Sequence, residues 1–404
     1  MEVRADASVA DGDPLRSQAS SRRPLFLAVC LVLAVGLSVR LAYELNRLLF
    51  EAGGPIDLLV LRRMIREWFA GFPVYEERKG IHPPAVFVLL WPLYGWGSET
   101  LTRWLYALLT AIVAMGFGRL LLREAHAGST RDRALLAILL IGCYPAAITI
   151  GNGQLTLFLL FAAIGGVFVC LRRAPGAGRD ALLTSLFVAA LIKPTLTLPF
   201  FWVIAFSKGW LRPAVAAIAI HVVVTGISIA LHGATLDGVL SMFRVWYGRA
   251  EYGMAQTGYG SIHGWLGSRG LDAWILPASG LVFALHGLWS SRHREADLWV
   301  LLGVAAIVTR IWAYHRVYDD LLLIVPLLAL YRLGRGKSRD GVAWALFLVG
   351  AAALVAPVTP ILTHASWALV GVWLLQLAYL LWRAGPVAVR ATEPAPRGGA
   401  VSPS

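Results

Sequence analysis

Long apolar runs broken by short clusters of Arg and Gly fill the chain from Leu25 to Trp382. A helix needs about 20 mainly apolar residues to cross a bilayer. Segments of roughly that character recur at 25–45, 84–97, 101–122, 134–150, 155–171, 181–206, 213–231, 271–290, 298–312, 320–331, 341–358 and 362–382. The pattern predicts an all-α fold, a polytopic transmembrane helix bundle of about 10–13 membrane helices in a single integral-membrane domain, residues 25–384. Residues 1–24 are polar and lack the short apolar core and cleavage site of a leader, so the run from Leu25 reads as an uncleaved first span behind a cytoplasmic tail. The Pro-, Ala- and Gly-rich stretch 385–404 is expected to be a disordered C-terminal tail.

Departures from the plain spanning pattern carry more information than the spans. Between Asn46 and His82 the chain is polar, yet Leu58, Leu61, Ile65, Trp68 and Phe69 recur at helical spacing opposite Arg62, Arg63, Arg66 and Glu67. That pattern predicts an amphipathic helix in the membrane interface after the first span. Segment 84–97 is short and holds Pro92, Gly95 and Gly97, so it is expected to enter the bilayer without simply crossing it. Segment 181–206 is cut by Lys193-Pro194, which predicts a hairpin of two shorter helices. Irregular backbone at membrane depth survives only where protein buries it or a water-filled cavity lines it. A second long polar stretch runs from Gly233 to Asp272. No internal repeat is visible, which weakens a secondary-transporter reading.

Composition confirms the class: 58% of residues are hydrophobic, 15% are charged, and mean hydropathy is +0.68. The net charge of +13 would suggest nucleic acid in a soluble protein. Here Arg22-Arg23, Arg119 to Arg133, Arg172 to Arg179, Lys208 with Arg212, Arg332 to Arg339 and Arg383 flank apolar segments. The positive-inside rule explains such placement, making these loops cytoplasmic and leaving no nucleic-acid partner. A multi-pass protein of the cell (plasma or inner) membrane is expected, with the Asn46–His82 stretch on the extracytoplasmic side. Cys30, Cys143 and Cys170 lie in apolar segments without CxxC spacing and read as packing residues.

Ionisable groups at membrane depth mark candidate sites because burying them is costly. Asp57 follows Gly53-Gly54-Pro55 and opens the amphipathic helix. It is either a helix N-cap or a general base facing a partly dry cavity. His315 and Arg316, among Tyr314, Tyr318, Asp319 and Asp320, either hold a phosphate or form an interfacial belt. Lys193 is either a snorkelling lysine or a further phosphate contact. Asp319-Asp320 can hold a hard cation or simply start a helix. No metal site is expected, since no His pair stands at i, i+4 with a carboxylate, and no Gly-rich loop for a soluble nucleotide is present.

At these residues the sequence resembles glycosyltransferase family 87, the polyprenol-phosphate-mannose-dependent alpha-1,2-mannosyltransferase-like branch of the GT-C superfamily. The family's outer-loop aspartate matches Asp57, its Gly-x-x-x-Tyr element Gly71 to Tyr75, and its proline pair Pro83-Pro84. Its Gly-Gln turn matches Gly153-Gln154, its Lys-Pro break Lys193-Pro194, and its late His/Tyr element His315 to Tyr318. Thr156 stands where the family often has Asn, and His82 stands where an aromatic usually precedes the prolines. The resemblance implies an inverting transfer of a hexose from a polyprenyl-phosphate donor to a glycolipid or glycan acceptor, without cofactor, on the extracytoplasmic face. Asp57 and His315 would be catalytic, Arg316 and Lys193 would bind the donor phosphate, and Tyr75, Gln154 and Tyr318 would bind substrate. Competing readings are a flippase or transporter of lipid-linked saccharide, another GT-C transferase such as one moving arabinofuranose, and an inactive assembly subunit.

Overall fold

The computed structural model describes residues 14–77, 82–206, 209–233, 235, 238–241, 243–245, 260–313, 315–336, 339–355 and 366–385. The first helix, α1 (Pro14–Leu49), has 36 residues, about 54 Å at 1.5 Å per residue, so it overruns a hydrocarbon core of about 30 Å. It begins ahead of the expected boundary at Leu25, and residues 14–24 of the expected tail continue the helix. The remainder of that tail, 1–13, and all but Gly385 of the C-terminal one lie outside the described residues.

The amphipathic helix forms as α2 (Ile56–Phe69), burying Leu58, Leu61, Met64, Ile65 and Trp68 while Arg63 and Arg66 stay exposed. The short α3 (Val74–Glu77) follows, then α4 (Pro84–Tyr94), α5 (Glu99–Glu124), α6 (Thr130–Gly142), α7 (Tyr144–Asn152) and α8 (Thr156–Arg172). Next come α9 (Ala177–Ala190), α10 (Pro194–Ala205), α11 (Leu211–His232), the short α12 (Ile262–Gly267), α13 (Ile275–Arg292) and α14 (Leu298–Trp312). A 3-10 turn, Val317–Leu323, leads into α15 (Ile324–Arg335), and α16 (Gly341–Val355) and α17 (Ser366–Arg383) complete the bundle. Among the described residues every regular element is a helix, as the apolar pattern requires.

The polytopic helical bundle therefore stands, and its helices are of unequal length, as the interrupted segments 84–97 and 181–206 predict. Among the described residues three helices, Glu99–Glu124, Leu211–His232 and Asp272–Arg292, are each long and apolar enough to cross, and the α6–α7 pair makes a fourth candidate bent by 43°. Other apolar helices have 10–17 residues, about 15–26 Å, short of the hydrocarbon thickness. The physical cause is the set of breaks. Pro84 and Pro194 start helices at their first position, where a missing N–H costs nothing, and Gly153 ends α7 in the left-handed region at φ 73°. The expected hairpin around Lys193 is present. Arg179 at the start of α9 donates to the carbonyls of Cys170 and, beyond α10, Gly209, so the far ends of α9 and α10 meet while their turn lies at the other end of the bundle.

At the centre run α14 and α15, buried along nearly their whole length. At the rim, α1, α5, α11 and α13 expose apolar side chains such as Val32, Met115, Val222 and Leu281, the surface a bilayer covers. The interhelical loops rich in arginine collect at one end, here termed the basic end. There Arg172 grips Glu124 through two hydrogen bonds of 2.5 and 2.7 Å, Trp299 Nε1 donates to the same carboxylate, and Arg335 meets Asp132 at 2.7 Å. At the opposite end Trp68 stacks on Phe87 and His232, with ring centroids 4.7 and 4.1 Å away, and donates to the Ser228 carbonyl. This pins α2 to α4 and α11.

Candidate active site

Helix breaks collect polar groups at the end opposite the basic loops. The 3-10 turn Val317–Leu323 is anchored by buried Leu321, Leu322 and Leu323, which draw Asp319 and Asp320 out of solvent with them. A buried carboxylate needs paired charge and hydrogen bonds, and both have them. Lys193, the residue at which α10 starts, donates to both Asp319 oxygens at 3.1 Å. Thr156 Oγ1 donates to Asp319 at 2.8 Å, while His315 Nδ1 and the Arg316 backbone N–H approach it at 3.2 Å. Burial works to raise the Asp319 carboxyl, but the Lys193 charge and the His315 and Thr156 contacts outweigh it and hold the group well below the usual carboxylate range.

Asp320 faces the other way. It accepts from Arg310 Nε at 2.5 Å and from the Tyr144 hydroxyl, and the Arg310 guanidinium lies 4.8 Å from the Trp373 ring centroid. Arg310 and Asp320 are both fully buried. The adjacent carboxylates thus serve two separate cationic partners.

Beside Lys193 lie Tyr318, whose ring centroid is 5.6 Å from Nζ, and His82, close enough to feel the Lys193 charge. His82 keeps part of its surface open yet is crowded by protein atoms; this burial, with the Lys193 charge, lowers its pKa to about 4. His315 is buried with its Nδ1 on Asp319, and its Nε2 has no hydrogen-bond partner among the described residues. His263, from the second polar stretch, lies close enough to feel the His315 charge and contacts the Ser279 hydroxyl. Burial first, and His315 second, lower its pKa to about 4.

Asp57 lies in the first turn of α2, but the capping position is Pro55 and no side chain caps the helix. Its carboxylate makes no hydrogen bond or ion pair among the described residues, so the N-cap alternative does not hold. The link to the cluster runs through Gly153. A Cβ there would sit 2.3 Å from the Leu58 Cβ, so the Gly153-Gln154 turn packs directly on the residue after Asp57. Tyr106 donates to the Gln154 carbonyl at 2.8 Å and to the Thr149 carbonyl at 3.1 Å, and Thr149 Oγ1 is 3.4 Å from the Tyr318 carbonyl. The turn therefore lies between the start of α2 and the backbone of Tyr318, next to Asp319.

Lys193 and His315 meet Asp319 through their side chains, Arg316 through its backbone N–H, and Tyr318 lies beside Lys193. Gln154 is linked only through its backbone, whose N–H donates to the Thr149 carbonyl at 2.9 Å. Tyr75 stands behind: it is buried edge-on against Trp68, and its hydroxyl donates to the His82 carbonyl at 2.7 Å. Tyr314 and residues 246–259 of the second polar stretch lie outside the described residues. Asp319 as organiser and Arg310 with Tyr144 as partners of Asp320 were not singled out from sequence. A readable signal existed, because Arg310 interrupts an apolar run and a buried cation calls for a buried anion. The two departures from the resembled pattern both fall in this cluster, Thr156 on Asp319 and His82 beside Lys193.

Comparison with known proteins adds one finding. No curated protein and no solved structure matches the chain. The family model described as glycosyltransferase family 87 matches residues 81–330, a span that includes Gln154, Lys193, His315, Arg316 and Tyr318 and begins beyond Asp57 and Tyr75. With the match covering more than half of 404 residues and laid over a polytopic helical bundle, the chain belongs to glycosyltransferase family 87 and is a membrane glycosyltransferase.

Proposed function

We propose that the protein transfers a hexose, mannose by the resemblance, from a polyprenyl-phosphate donor to a glycolipid or glycan acceptor on the extracytoplasmic face, with inversion at the anomeric carbon. The observation that carries this reading is an Asp57 carboxylate without a hydrogen bond or ion pair among the described residues, set across the Gly153-Gln154 turn from the cluster of Lys193, His315 and Asp319. Asp57 takes the proton of the acceptor hydroxyl as that oxygen attacks the anomeric carbon. The bond from that carbon to the phosphate oxygen breaks on the opposite face, and its electron pair stays with the phosphate.

The developing charge needs preorganised donors. Lys193 has three N–H groups and gives two to Asp319, which leaves one for phosphate. His315 gives Nδ1–H to Asp319, so Nε2 is the nitrogen left to meet an arriving phosphate, and phosphate charge favours its protonation. Arg316 follows His315 in the chain and is exposed, and a guanidinium can grip a phosphate as a planar fork. The sidedness is supported by the arginine-rich loops gathering at the other end, which the positive-inside rule assigns to the cytoplasm. A lipid donor is supported by the sequence, which has no Gly-rich loop for a soluble nucleotide.

The test is incubation of purified protein with polyprenyl-phosphate mannose, arabinose and glucose, with membrane-lipid acceptors read by mass spectrometry. Covalent transfer of hexose from the mannose donor is expected. Movement of donor across vesicles without any transfer would replace this reading with the flippase.

A further inference from the structure

The basic end holds a feature unrelated to the chemistry above. A groove of about 760 Å³ opens between α5, α6, α7 and α8, within the size range of small-molecule sites. Its walls are apolar, formed by Leu41, Phe117, Leu140, Ile150, Leu157 and Leu321, and its mouth is ringed by Arg119, Arg123, His126 and Arg133. No carboxylate lines it among the described residues. From Arg123 back to Ala114 the groove follows α5 for about 13.5 Å, close to the roughly 15 Å of a single hydrocarbon leaflet.

Nearby arginines at this end are paired with acids: Arg172 with Glu124, Arg332 with Asp297, and Arg335 with Asp132. Arg119 and Arg123 make no hydrogen bond or ion pair among the described residues, although both are exposed and stand one helical turn apart. Like charges at that spacing repel unless an anion sits between them. Their position at the C-terminal end of α5 relieves part of this repulsion through the helix dipole, but it does not account for an apolar trough leading away from them.

We propose that the groove holds one anionic phospholipid from the leaflet at the basic end, its phosphate among Arg119, Arg123 and Arg133 and an acyl chain along α5 and α7. Free phosphate would use the arginines and leave the apolar wall unfilled. A donor lipid seated at Lys193 and His315 would carry its phosphate at the opposite end of the bundle. The lipid fills space between α5 and the α6–α7 pair, and the walls it touches include Thr149, which contacts Tyr318. It would therefore stabilise the bent pair on which the Gly153-Gln154 turn is built.

The experiment uses the full chain, delipidated in mild detergent and titrated with phosphatidylglycerol or phosphatidylcholine, with bound lipid counted by native mass spectrometry. One phosphatidylglycerol is expected to be retained in preference to phosphatidylcholine. Arg119→Gln with Arg123→Gln is expected to weaken it roughly tenfold. Gly118 lines the groove, and Gly118→Phe is expected to weaken binding with the arginines intact. A Cβ at Gly118 meets nothing within 4 Å, so the new side chain starts in open space, and an unchanged melting temperature checks that the bundle holds. Equal retention of both lipids, or of phosphatidylglycerol by wild type and the double arginine variant, would overturn the proposal. So would displacement by inorganic phosphate combined with no effect of Gly118→Phe, which would reduce the site to a surface anion contact.

Discussion

The two ends of the bundle use the same residue types to different ends. At the basic end Arg172 reaches a buried Glu124 from a position that is 47% exposed, and Arg335 reaches Asp132 from one that is 51% exposed. Cations there stay hydrated and each pair contributes little on its own. At the site end Arg310 and Asp320 are wholly buried, and Asp319 is enclosed by Lys193, Thr156 and His315. Removing charge from water is costly, and a buried ion pair is a poor device for stability alone. Charges buried in a network with unused donors suit a site. The pairings at one end tie helix termini together; those at the other hold buried side chains in fixed orientation.

The contrast can be broken most decisively at Asp57. Asp57→Asn should lower sugar transfer by about 10²–10⁴-fold, the usual contribution of a general base, with unchanged thermal unfolding because the carboxylate has no protein partner among the described residues. Wild-type transfer at equal expression would remove it from the chemistry. Next, Asp319→Asn should cost about 3 kcal/mol by leaving the Lys193 charge poorly paired, together with most of the transfer activity. Asp319→Leu with Lys193→Met should recover much of the stability and none of the activity; recovery of transfer would show that the pair only holds helices together. At the basic end Glu124→Gln should cost about 1 kcal/mol, read in detergent melts, and leave the transfer rate per folded molecule unchanged.

A further effect, on stability alone, is in pH. His82 and His263 ionise near 4 in the folded protein, against an ordinary value near 6.5, because burial disfavours their charged form. As pH falls below 6.5 the unfolded chain takes up these protons and the folded chain does not, so stability falls through the window from 6.5 toward 4 and levels off below it. The melting temperature should drop by several degrees between pH 7 and pH 5. His263→Gln should blunt the drop, whereas Glu124→Gln should leave it intact over that interval.

What the chain revealed beforehand followed from periodicity and from charge placement. The α2 stripe was readable because Leu58, Leu61, Ile65 and Trp68 keep a 3.6-residue period, and the Lys193-Pro194 break because proline cannot continue a helix. The basic end was readable because arginines flank apolar runs. Tertiary pairing was not readable in the same way. Asp319 and Asp320 are neighbours in sequence yet answer to Lys193 and Arg310 on different helices, and no local pattern shows which carboxylate takes which cation. The short helices α4 and α10 were readable too, because Pro92, Gly95 and Gly97 interrupt the first apolar run and Lys193-Pro194 the second.

The Gly153 turn settles how much slack exists between the two halves of the site. With no Cβ, its backbone rests on Leu58 at a separation that no side chain there could preserve. Side chains act as cushions, because rotamer changes absorb small displacements; bare backbone against a Cβ does not. A tilt or shift of α2, whose Arg63 and Arg66 face is exposed, is therefore passed to the Gln154 backbone almost undamped, and from there toward Tyr318 through Thr149. The span between Asp57 and the Asp319 cluster is thus set like a gauge block, and, under the proposed function, the lie of one amphipathic helix becomes a setting of catalytic geometry.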